Sequence, residues 1–155
     1  MAVKRVPDGF HRVTVHLTVR NAAAMIEFYK KAFGAVEKGG RAPGPDGKTI
    51  MHAALTIGDS IIFLNDEFPE MGAVSPLGTK GTAVTLHLYV EDADKQFTQA
   101  LAAGAEVVMP LADQFWGDRY GILKDPSGHQ WSVGSHMEDL TPEQMQERMG
   151  KAFCQ

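Results

Sequence analysis

The chain has one cysteine in 155 residues, Cys154, which excludes a disulfide framework or a cysteine metal cluster within one chain. At the penultimate position that thiol reads either as a reactive group or as part of a frayed end. No uncharged apolar run approaches the roughly 18 residues that a membrane helix needs, so no membrane partner is expected. Positive charge is also scarce. Fifteen Lys and Arg stand against 19 Asp and Glu, and no basic run exceeds Lys30-Lys31, so there is no footprint for nucleic acid. The opening MAVKRVPDGF lacks the apolar stretch of a signal peptide, which predicts a cytoplasmic protein. Signatures of the HxxE, Ser-His-Asp and phosphate-loop kinds are missing. GGRAPGPDGK has glycines and a lysine, but not the spacing that cradles phosphates, and reads as a flexible turn or a mobile loop at the edge of a site.

What is present is an ordinary globular composition, 44% hydrophobic and 22% charged, long enough for one core or for two small modules packed as a unit. One pattern is written twice. VTVHLTV, Val13–Val19, returns 71 residues later as VTLHLYV, Val84–Val90. In the first copy Val13, Val15, Leu17 and Val19 share one face, while Thr14, His16 and Thr18 share the other, as a half-buried strand requires. Next, NAAAMIEFYKKAFGA spaces Ala22, Ile26, Tyr29 and Phe33 helically and stops at Gly34. The short AVEKG and the runs TIMHAALTI and SIIFLND, joined by the hairpin-like Gly58-Asp59, complete β-α-β-β-β.

After an aperiodic connection from Glu67 to Thr82 the order repeats. VTLHLYV is followed by the helix EDADKQFTQALAAGA and then by EVVMPL, YGILKD and HQWSVGS. The offset is 71 at the strand but 70 at the Gly-Ala stop, a slip of one residue inside the helix. Duplication of one unit explains the repeated strand. A final helix is predicted in LTPEQMQERMGKAF, with Thr141 as N-cap, Pro142 at the first helical position and Gln144 closing a capping box. Met145, Met149 and Phe153 give it an apolar stripe.

Four stretches carry a family resemblance: PDGFHRVTVHLTVRNAAAMIEFYKKAFGA, MHAALTIGDSIIFLNDEFPEMGA, VTLHLYVEDAD and DQFWGDRYGILKDPSGHQWSVGSHMEDLTPEQMQERM. They cover nearly the whole chain, in order, and the sequence resembles the vicinal oxygen chelate superfamily (glyoxalase I, bleomycin-resistance proteins, methylmalonyl-CoA epimerases, extradiol dioxygenases), in particular its PhnB-like branch. The resemblance implies an α+β fold with two tandem βαβββ modules, whose curved mixed sheets face one another around a cleft. It implies a single domain over residues 1–155, with modules at about 10–66 and 82–136, a C-terminal helix at about 141–153, and a homodimer.

Metal-binding members hold a divalent ion with four side chains. The resemblance places those positions at Thr14, Ala54, Thr85 and Ser132, none of which offers the imidazole, carboxylate or thiolate donors such ions take. No resident cofactor is therefore expected. His16 and His87 lie two residues beyond the threonines on the same faces, with His52 on the face of Ala54. They read as hydrogen-bonded wall residues, as ligand-binding or acid-base groups, or as a relocated site through which a divalent metal would enter.

In DQFWGDRYG, Trp116 and Tyr120 with Phe115 suit stacking on a planar ligand, and Arg119 suits pairing with an anion. The alternative is an Asp118–Arg119 ion pair pinning a loop over core aromatics. Trp131 reads as core. The site residues expected are thus His16, His52, His87, Trp116, Arg119 and Tyr120. Two functions stay open: a small-molecule binding protein of the bleomycin-resistance kind, or a lyase or isomerase of the glyoxalase kind that uses a relocated histidine metal site or histidine acid-base chemistry.

Overall fold

Alternation in the first heptapeptide produces β1, Val15–Val19, with Leu17 and Val19 buried and His16 exposed. The strand starts two residues later than its sequence pattern suggests. Val13 is 83% exposed and joins no sheet ladder, so the apolar row begins at Val15. The computed structural model describes residues 3–154, which form two compact units divided between Thr82 and Ala83.

In the first unit β1 leads into α1 (Ala22–Phe33), then β2 (Val36–Glu37), β3 (Ala42–Pro43), β4 (Ile50–Ile57) and β5 (Ser60–Asp66). The sheet order is β1-β5-β4-β2, with β3 also on β4 and β1 parallel to β5. A short strand thus sits inside the Gly- and Pro-rich stretch read as a loop. The helix buries Met25, Ile26, Tyr29 and Phe33, which with Leu17, Leu55 and Leu64 form the core on one side of the sheet. At 25–30 cal/mol per Å² such side chains each contribute about 1.5–3 kcal/mol. Asp66 ties the layers together, accepting from Ala22 N at 2.7 Å with one carboxylate oxygen and from Ile50 N at 2.7 Å with the other. Past β5 the connection is not wholly irregular. It forms a 3₁₀ turn at Pro69–Met71 and one helical turn, α2, at Pro76–Thr79.

The second unit repeats the plan as β6 (Thr85–Tyr89), α3 (Ala93–Ala103), β7 (Glu106–Asp113), β8 (Asp118–Lys124) and β9 (Gln130–His136), followed by α4 (Pro142–Phe153). Its order is β6-β9-β8-β7, with β6 parallel to β9. Both sheets are mixed and curved, and the α+β duplication is as the sequence implies. The slip of one residue lies where the sequence puts it. Asn21 and Asp92 cap the two helices at their starts and Gly34 and Gly104 at their ends, with 12 residues in α1 and 11 in α3. Both glycines have positive φ, 66° and 119°, a conformation that side chains with a Cβ resist.

Trp131 faces α3, 2% exposed, and donates from Nε1 to Asp125 Oδ2 at 2.9 Å, so it is core as expected. Gly121 lets the helix approach: a Cβ there would meet the Phe97 ring at 2.8 Å and the Leu111 backbone at 2.9 Å. The capping box of α4 is present, Thr141 Oγ1 accepting from Gln144 N while Gln144 accepts from Thr141 N. Met145, Met149 and Phe153 on this helix are exposed. No helix among the described residues is long and apolar enough to cross a membrane.

Candidate functional site

Each sheet has a second face, opposite its first helix, and the candidate side chains stand there. In the first unit β1 and β5 pair His16 with Phe63, and β4 and β5 pair Ala54 with Phe63. The Phe63 ring is therefore the floor. His52 lies 4.8 Å from it, His16 5.8 Å and Phe10 5.6 Å between centroids, and the two imidazoles meet edge to face at 6.1 Å. Lys38 Nζ stands 5.9 Å over the Phe10 ring, a cation–π contact. Among the described residues no hydrogen bond engages a ring nitrogen of His16 or His52, so both are available to a ligand.

The second unit treats its repeated histidine differently. His87 pairs with Ser132 across β6 and β9, and its Nδ1 lies 2.7 Å from Ser132 Oγ, with the tautomer deciding which group donates. The ring stacks on Tyr120 at 5.6 Å and meets Tyr89 edge-on at 4.4 Å. Trp116 extends this cluster, 5.4 Å from Tyr120. Beneath the imidazole is Gly134, where a Cβ would come within 3.0 Å of His87 Cε1. Burial against these neighbours lowers the His87 pKa from its ordinary value, with the Asp118 charge opposing, which favours the neutral base near pH 7.

Asp118, 5% exposed, anchors a further cluster. One oxygen accepts from the Tyr89 hydroxyl at 3.1 Å, and the other lies 2.7 Å from His136 Nδ1, whose Nε2 is 2.9 Å from Asp139 Oδ1. Two carboxylates, both acceptors, demand that both ring nitrogens donate. Hydrogen bonding to Asp139 and then to Asp118 accordingly raises the His136 pKa. A cavity of about 240 Å³ opens beside Asp118, Gly117, Met137 and Arg148, and one of about 500 Å³ beside Tyr89, Glu91 and His136.

The Asp118–Arg119 ion pair considered from sequence does not form. Neighbours on a strand point to opposite faces, and Arg119 turns toward the helix side. It grips Asp94 of α3 through Nε at 2.7 Å and Nη2 at 2.9 Å, and Asp113 through Nη1 at 3.0 Å. These bonds, Asp94 first, raise its pKa and occupy the guanidinium fork expected to receive an anion. Of the six residues expected at the site, His16 and His52 gather on one sheet face, His87, Tyr120 and Trp116 on the other, and Arg119 joins neither.

Residues the sequence reading passed over include Phe63 and Tyr89, both recoverable from strand alternation. His136, the last residue of β9, is recoverable in the same way, whereas Phe10 and Lys38 lie in segments that carry no periodic signal.

The side chains at the superfamily's metal positions do not fit a metal. Thr85 is directed toward Gln130 Oε1 at 3.5 Å, and Ser132 is 1% exposed with its hydroxyl in the His87 contact. By strand register the first-unit counterpart of Ser132 is Phe63, each paired with its repeat's histidine; Ala54 lies one strand further along. A phenyl ring and a methyl group supply no donor. Among the described residues no three His, Cys, Asp or Glu side chains gather as a metal site would need.

Known proteins agree with this fold. The uncharacterized protein Mb0911c of Mycobacterium bovis is 50% identical over 137 residues, covering 86% of this chain and 89% of its own. Among solved structures, TioX from Micromonospora sp. ML1 is 26% identical with a TM-score of 0.61, covering 84% of this chain and 100% of its own. The PhnB protein from Bacillus cereus is 21% identical with a TM-score of 0.63, covering 81% and 99%; at that identity the likeness speaks for the fold alone. Residues 9–133 match the model of one family, and the chain belongs to it: the Glyoxalase/Bleomycin resistance protein/Dioxygenase superfamily.

Proposed function

We propose that this protein binds a small planar molecule on its ring-lined sheet faces and does so without the metal chemistry of its superfamily. The observation that carries this is the substitution at the metal positions: where donors would stand there are hydroxyls, a methyl and a phenyl ring, and beside them rings suited to stacking. His16, His52 and Phe63 on one face, and His87, Tyr120 and Trp116 on the other, offer apolar area with a few polar anchors, the usual composition of a ligand site. The proposal includes a homodimer, motivated by the family resemblance and checked by light scattering, and a cytoplasmic location, checked by cell fractionation.

A second reading is proton transfer by His87. A depressed pKa and the hold of Ser132 favour it, since they keep a neutral, oriented imidazole.

The test is a fluorescence titration with 2-naphthalenemethanol, monitored through quenching of Trp116, with and without EDTA and with Ni²⁺ added back. Saturable binding unchanged by chelation and weakened by Tyr120→Ala is expected. Binding that appears only with Ni²⁺ present would overturn the proposal.

A further inference from the structure

The two sheet faces differ in charge, and that difference names a ligand class. On the first unit's face the side chains of β1, β4 and β5 are imidazoles, rings, aliphatics, hydroxyls and an amide, with no carboxylate among them. Four acids elsewhere in the unit are already engaged. Glu37 is held by Lys30 and Arg41, Glu67 by Arg20, Asp46 by Thr49 and its neighbouring backbone, and Asp66 by the Ala22 and Ile50 amides. Lys38 makes no ion pair among the described residues. Its backbone N–H bonds Ala54 O at 2.8 Å, fixing it at the end of β2 beside the platform, and its ammonium stands over Phe10. His16 and His52, with no partner on their ring nitrogens, each offer at least one N–H in either protonation state.

We infer that this face is a subsite for a planar aromatic carboxylate, its ring on Phe63 and its anionic group taken by Lys38 and the two imidazoles. The inference rests on the binding reading above and deepens it. An aryl ring matches a floor made of ring faces and edges. An anion matches donors that no carboxylate neutralises, on a face whose three strands present no acid. A cation of the same shape would meet Lys38 with no compensating carboxylate.

Matched probes make the test: 2-naphthoate, 2-naphthalenemethanol and 2-naphthylmethylamine, titrated by calorimetry into the full chain and followed through the ring-proton NMR signals of the histidines. Expected are binding of the naphthoate at least tenfold tighter than of the amine, shifts of the His16 and His52 signals, and at least a tenfold loss for naphthoate in Lys38→Glu with less than a twofold change for the alcohol. Lys38 is exposed, so the variant keeps the fold, which circular dichroism verifies. If the amine and alcohol bind as tightly as the acid, or if Lys38→Glu changes nothing, the inference falls while the binding reading stands. A response confined to the His87 signals likewise overturns it. If no probe binds, both fall.

Discussion

Replacing Gly134 with alanine is expected to change sign in its effect on stability according to whether His87 is present. The added Cβ would lie 3.0 Å from His87 Cε1, 3.3 Å from its Nε2 and 3.5 Å from the Arg119 carbonyl oxygen. Comfortable contact begins near 3.5–4.0 Å, so the ring must retreat by about 0.5–1 Å. It cannot do so freely, because Ser132 holds it at 2.7 Å on Nδ1 and Tyr120 and Tyr89 flank it. Forcing extra volume into such a site costs about 1–3 kcal/mol. Swinging the ring out instead strands the buried Ser132 hydroxyl, at about the same cost. Against this, Gly→Ala in a strand contributes about 0.5–1 kcal/mol of stability by itself.

The net for Gly134→Ala is thus a loss of about 0.5–2 kcal/mol in the native chain, and a gain of about 0.5–1 kcal/mol in a His87→Ala background. Urea unfolding of the four proteins gives the double-mutant cycle, with an expected coupling of about 1–3 kcal/mol. In Gly134→Ala alone the His87 pKa, read by NMR, should move up toward its ordinary value as the ring meets more water. Equal effects of the alanine in both backgrounds, within about 0.5 kcal/mol, would refute the reasoning.

Two further outcomes follow from the same geometry. Trp131→Phe removes the donor to Asp125, a 3% exposed carboxylate that also accepts from the Ser127 and His129 amides; a loss of about 2–3 kcal/mol in urea unfolding is expected, and less than about 0.5 would contradict it. His136 has its pKa raised in the folded chain, so its contribution is fully present below the unfolded value of about 6.5 and is lost as pH rises through the higher folded one. The thermal stability advantage over His136→Ala should therefore be largest in mild acid and shrink in base. A difference constant with pH would sink that assignment.

How much of this was legible in the residues depended on distance along the chain. β1, α1 and their second copies were readable because alternation and helical spacing are local, and the one-residue slip was readable because both caps are glycines. Partners across strands were not. Nothing near His16 says that Phe63 stands beside it, and nothing near Arg119 says that Asp94 of α3 takes its guanidinium; both depend on sheet order and helix placement. The same holds for Lys38, whose contact with Phe10 joins two segments without any period.

The repeated heptapeptide shows what that non-local information is worth. Its two histidines descend from one position and keep the same backbone register, yet one neighbours a phenyl ring and the other a serine hydroxyl. One imidazole is left open to a visitor, while the other is fastened. A duplicated gene can thus retune a side chain without altering it, by changing only what sits across the ladder. For chains of this kind, the likeness of the repeats gives the shared scaffold, and the residues opposite them set what each copy's side chain can do.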